Sequence, residues 1–317
     1  MDVNNSMKRV VLLIIFSLFL SACTIPFFGN NSSPQGKGLS VRIVTNPSIS
    51  GKILSEGDSF TTNVEIINYF TSRKGVNGYI CLRDQSGNTY GGIDDKQCTP
   101  INLEPAQNVD GNIIPTGTSI PFPSVGEFSY NNLGPTSIPN QINAEVYYDT
   151  ETVTGGVACV NSRNSNKCSS EQNLQLSKSD APLMVSKIIA ATSYPSGSTG
   201  DASLNLELHI SQNDDGEILS PGDLLTASSV SPEVRIDVTV ENRNVNCRGA
   251  GFRGSTLEFS QLKFAGSTNE KVIKCKTTVN VPSDYVNVPV NIKLSYGFKK
   301  VIEGSSFTLK KSEESIA

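Results

Sequence analysis

The chain has 317 residues, room for two domains of ordinary size. Its 26 Lys and Arg nearly balance 30 Asp and Glu, a net charge of −4, without the basic excess that nucleic-acid binding requires. One His and no Trp exclude a His-rich metal site and indole stacking on sugars. Charged residues reach only 18%, and the polar remainder of Ser, Thr, Asn and Gly has the texture of an extracellular β protein.

In chain order the first element is an address. Lys8 and Arg9 precede an apolar run, Val10 to Leu20, too short for the ~20 residues that cross a bilayer. A basic end followed by a short apolar run is a secretory signal. It closes on Leu20-Ser21-Ala22-Cys23, which resembles the lipobox of prokaryotic lipoproteins. That resemblance implies removal of residues 1–22, a diacylglyceryl group on the Cys23 thiol, and membrane lipid as a partner. Residues 23–38 are rich in Asn, Ser, Pro and Gly and read as a flexible tether.

Period-two alternation dominates the chain from Leu39 onward. Leu39, Val41 and Ile43 share a face, as do Phe60, Thr62, Val64 and Ile66, and then Ile142, Ala144, Val146 and Tyr148. The pattern returns at Leu204–Ile210, at Val234–Val240 and at Val288–Tyr296. Turns fall at Ser86-Gly87-Asn88, Asp110-Gly111-Asn112, Asp215-Gly216 and Pro221-Gly222-Asp223. No amphipathic helix is predicted. The expected fold is all-β: two immunoglobulin-like antiparallel β-sandwich domains in tandem, residues 39–180 and 181–317, after the signal peptide and tether. Leu183–Ile189 is the expected first strand of the second domain. The halves resemble each other: Leu39–Asp58 aligns without gaps on Leu204–Asp223, and Ile142–Tyr148 on Val290–Tyr296. A competing register sets Phe60–Asn68 against Ser203–Ser211.

Setting Cys23 aside leaves six of the seven cysteines, an even number in an exported chain. Each has a sequence-local partner, which predicts disulfides Cys81–Cys98, Cys159–Cys168 and Cys247–Cys275 rather than a metal site. His209 has the parity of Asn205 and Glu207, which sends it to a polar strand face. Arg243, Arg248 and Arg253 surround Cys247 and form a loop able to meet an anionic glycan or headgroup. Asp94-Asp95 and Asp214-Asp215-Gly216-Glu217 are acidic turns without EF-hand spacing. Phe122, Phe128 and Tyr130 lie in a Pro-rich excursion, residues 104–140, either to meet a partner or to cap a sandwich end. No nucleophile elbow and no phosphate loop is present, and neither an enzymatic activity nor a cofactor or metal is expected.

Glu56-Gly57-Asp58-Ser59-Phe60, then Val64-Glu65-Ile66-Ile67-Asn68, with Ala181-Pro182 opening the next unit and the paired cysteines, resemble tandem immunoglobulin-like, CARDB-like adhesion modules of prokaryotic surface lipoproteins. The excursion at 104–140 departs from that compact module. The resemblance implies a non-enzymatic, lipid-anchored structural or adhesive module on the outer face of the membrane. Its expected partners are an envelope protein or glycan and not nucleic acid. The alternative is an accessory subunit of an envelope transport or secretion complex.

Overall fold

The structure, a computed structural model, describes residues 38–311 apart from 72–74, 94–95, 177–180, 195–199, 226–231, 250–251, 254–255 and 259–269. The signal segment, Cys23 and the acidic pair Asp94-Asp95 lie outside the described residues.

Alternating apolar residues become strands with one buried face. The first ten are β1 (Leu39–Asn46), β2 (Ile53–Ser55), β3 (Ser59–Asn68), β4 (Val76–Asp84), β5 (Gln97–Leu103), β6 (Gln107–Val109), β7 (Asn112–Ile114), β8 (Thr116–Phe122), β9 (Phe128–Ser129) and the long β10 (Ile138–Asn161). Next come β11 (Glu171–Asn173), β12 (Leu183–Ser193), β13 (Asp201–Gln212), β14 (Glu217–Leu219), β15 (Glu233–Val240), β16 (Arg243–Asn244), β17 (Asn246–Gly249), β18 (Phe252–Arg253), β19 (Thr256–Glu258), β20 (Glu270–Asn280) and β21 (Tyr285–Lys310). The only helical element among the described residues is a 3₁₀ turn at Gly87–Thr89.

A sheet ordered β1-β3-β8, with β9 added to β3, faces part of a ten-stranded sheet whose path is β18-β19-β15-β21-β10-β4-β5. A five-stranded sheet, β11-β12-β13-β20-β17, faces the rest, and β6 and β7 form a separate hairpin. Every named pairing is antiparallel except β2 with β21. Phe60, Val64 and Ile66 on β3 and Ile142, Val146 and Tyr148 on β10 belong to one buried hydrophobic core. This is the packing of a β-sandwich. Phe122, Phe128 and Tyr130 are buried in that core, so the excursion caps it and does not present them outward. The Phe60 ring lies 5.6 Å from Phe128, 5.9 Å from Tyr130 and 6.4 Å from Phe307. The Tyr130 hydroxyl donates to Asp84 at 2.7 Å and accepts from Asn140 at 3.2 Å, satisfying three buried polar groups at once.

The central feature is the β10–β21 ladder, continuous from Asn143↔Glu303 to Asn161↔Tyr285. Asp149↔Gly297 divides it. Before Asp149, β10 has β4 on its other side, from Ile142↔Asp84 to Asp149↔Asn77. Before Gly297, β21 has β15 on its other side, from Val240↔Val290 to Arg235↔Ser295. The end of β21 therefore runs beside the part of β10 that pairs with β4, and the end of β10 beside the part of β21 that pairs with β15.

The sequence repeat sits at matching places, since Ile142–Tyr148 and Val290–Tyr296 are in the first halves of these two strands. On the opposite layers β1-β3-β8 corresponds to β12-β13-β20. That order matches the register pairing Phe60–Asn68 with Ser203–Ser211. The other likeness is turn chemistry. Gly57 and Gly222 both hold positive φ, 86° and 84°, which only Gly adopts readily, but β2 runs parallel to β21 and β14 antiparallel.

Candidate functional site

Disulfides staple two pairs of neighbouring strands and close one loop. Cys81 stands opposite Cys98 on β4 and β5, and Cys247 opposite Cys275 on β17 and β20, each pair with Cα atoms 4.0 Å apart. Cys159 at the end of β10 bonds Cys168. Asn161 holds the Cys168 backbone there, donating to its carbonyl at 2.7 Å and accepting from its N–H at 2.8 Å. All three disulfides join the predicted pairs. They indicate an oxidising, extracellular environment.

The Cys247–Cys275 rung fixes a charged strip on the five-stranded sheet. Cys275 points into the core, so its neighbours Lys274 and Lys276 point out. Arg248 is directly opposite Lys274, and Asn246 opposite Lys276. On the next strand Lys274 faces Glu207, and its ammonium lies 3.2 Å from that carboxylate. This contact, with a hydrogen bond to His209, holds the Glu207 carboxyl below the usual range. His209 is on the polar face, as its parity predicts, with Nε2 3.1 Å from Glu207 and Nδ1 3.2 Å from Glu270. Ser186 donates to Glu270 at 3.0 Å.

The three arginines predicted as one loop are divided between sheets. Arg248 belongs to the five-stranded sheet, whereas Arg243 on β16 and Arg253 on β18 belong to the ten-stranded one. Arg243 is exposed and reaches Glu241 at 3.4 Å.

A second cluster was not foreseen from sequence. Glu145 points to the outer face of the ten-stranded sheet, yet it is only 3% exposed. Arg83 reaches it at 3.1 Å, Lys96 at 2.8 Å and Lys299 at 3.9 Å. The Tyr147 hydroxyl donates to it at 2.5 Å, and the Lys96 ammonium lies 4.1 Å from the Tyr147 ring centre. Burial pushes the Glu145 carboxyl up, but the hydrogen bonds from Lys96 and Tyr147 and the Lys299 charge outweigh it and hold the group low. Burial and the bond to Glu145 push the Tyr147 phenol well up.

A strap shields this cluster. Leu219 and Leu224 pack with Cys81 and Tyr147 in a small outer core. The strap's acidic turn is occupied by lysines, since Asp214 pairs with Lys300 at 2.7 Å and Glu217 with Lys299 at 3.5 Å. Among the described residues no group of three or more His, Cys, Asp or Glu is placed to hold a metal ion. A cleft bordered by Asn161, Arg163, Tyr194 and Asp201 has room for about one water molecule.

In the Glu145 cluster all three cations are already engaged by one buried carboxylate. The Arg248–Lys274–Lys276 strip is open and cationic. The strip is the better candidate for contact with another molecule. No protein-family model, curated protein or solved structure matches the chain.

Proposed function

We propose that the protein is a lipid-anchored, non-enzymatic module of the cell surface that displays a rigid β scaffold for structural or adhesive contacts. Lipid on Cys23 holds it to the outer face of the membrane, the residues after it give reach, and the folded part carries the contact faces. The fold is read as two immunoglobulin-like sandwiches that exchange their final strands, in keeping with the resemblance to CARDB-like modules.

The observation that carries this reading is the β10–β21 ladder, which binds both halves along one line of hydrogen bonds. A strand pair of this length resists being pulled apart in shear, because many bonds must break together. Three cross-strand or loop-closing disulfides add to that resistance. A stapled scaffold suits a chain that works outside the cell.

The test is fractionation of cells carrying the full chain or its Cys23→Ser variant, with protease added to intact cells. The native chain is expected in the membrane fraction and open to the protease, and the variant in the soluble fraction. A variant that stays in the membrane unchanged, or a native chain protected from protease, overturns the proposal.

A further inference from the structure

We infer that Arg248, Lys274 and Lys276 form a binding strip for an anionic envelope polymer, a glycan whose repeats carry phosphate or carboxylate groups. This names the partner of the surface module proposed above and rests on that reading for the compartment in which the polymer is met.

Strand geometry sets the spacing of the charges. Lys274 and Lys276 are alternate residues of β20, so their side chains leave the same face about 7 Å apart. Arg248 on β17 is opposite Lys274, at a Cβ separation of about 5 Å. The Cys247–Cys275 bond between these rows fixes the register. Like charges set directly opposite destabilise a strand pair. Among the described residues Glu207 compensates only one of the three cations, which leaves a local excess of positive charge on a chain of net charge −4. Asn246 and Asn205 flank Lys276 on either side and add neutral hydrogen-bonding groups of the kind that line glycan sites.

Exposure decides between a small ion and a polymer. The Lys274 side chain is 74% exposed, so a single small anion held there competes with water and salt. A polymer presents charges in series, and its second contact is made at high effective concentration. Arginine adds a planar fork that matches phosphate or carboxylate oxygens two at a time.

The experiment measures binding of the full chain to inorganic polyphosphate and to polygalacturonate. The Cys23→Ser chain is tested in parallel on phosphatidylglycerol and phosphatidylcholine vesicles. Two triple variants are compared with it: R248Q/K274Q/K276Q, and R42Q/K52Q/R163Q, which removes the same charge from exposed positions elsewhere. The strip variant is expected to lose roughly tenfold or more in affinity for at least one polymer and to show a shallower salt dependence, while the control stays within about twofold. Equal weakening by both variants, or no polymer binding by the native chain, overturns the inference. Binding to phosphatidylglycerol vesicles alone assigns the strip to lipid headgroups and also overturns it. Since the polymer arms use purified protein, failure here leaves the Cys23 fractionation result standing.

Discussion

If the two halves exchange their closing strands, damage in one half must destabilise the other. Phe307 tests this. It lies on the end of β21, yet its ring is buried in the first half, 6.4 Å from Phe60 and 5.7 Å from Tyr130. Phe307→Ala removes that ring and leaves a cavity among aromatic neighbours, a loss of about 3–5 kcal/mol. For a folded unit of this size each kcal/mol moves Tm by roughly 2–4 °C, so a fall of about 6–20 °C is expected. The second half can be watched separately, because the chain has no Trp. Val272→Trp on β20, an exposed position of the five-stranded sheet, places a lone reporter there. Thermal melts are followed by its fluorescence and by far-UV circular dichroism, with and without Phe307→Ala. Both signals should move down together as one transition. A tryptophan transition that stays at its original temperature while the dichroism splits in two would refute the exchange as an energetic link.

Three other perturbations probe the outer faces. Gly216→Ala puts a Cβ into the Phe298 ring and the Lys299 carbonyl, so the strap must shift. A cost of about 1–3 kcal/mol is expected, with faster hydrogen exchange at Leu219 and Leu224. Replacing Cys81 and Cys98 by Ala opens a loop with sequence separation 17 and should lower stability by about 3 kcal/mol in denaturant titration. The Glu145 carboxyl is held below its ordinary value of 4.5 in the fold, so the folded chain takes up this proton less readily than the unfolded one. Its stabilising contribution is complete above about pH 4.5 and is lost as pH falls through the lower folded value. Glu145→Gln should therefore lower Tm at pH 7 and flatten the acid side of the Tm–pH profile, and an unchanged acid slope would count against it.

The strands were legible because burial on one face writes a period of two into the sequence. Leu204, Leu206, Leu208 and Ile210 became the buried side of β13, and His209 fell on its polar side. The cysteine pairs were legible because two of them join residues directly opposite on neighbouring strands. The long β10–β21 pairing was not. Alternation looks the same whether a strand turns back at Asp149 or runs on to Asn161, and the partner that decides it, β21, is remote in sequence. One signal was available: no Gly-Asn, Asp-Gly or Pro turn interrupts β10 near Asp149. Glu145 was missed for a related reason. Its odd parity in Ile142–Tyr148 reads as a wet position, and the side chains that surround it, Arg83, Lys96 and Lys299, come from other strands and a loop remote in sequence. The cationic strip was half legible. Arg248 was named from its place beside Cys247, but Lys274 and Lys276 join it only through strand pairing.

The most direct test of the surface-module account is cross-linking in intact cells, followed by mass spectrometry of whatever is attached to the mature chain. The account predicts envelope polymer, neighbouring surface protein or further copies of the same chain, with contacts on the folded part and none to a transport machine. Recovery of a single recurrent membrane component of a transport or secretion complex would contradict it and make the protein an accessory subunit.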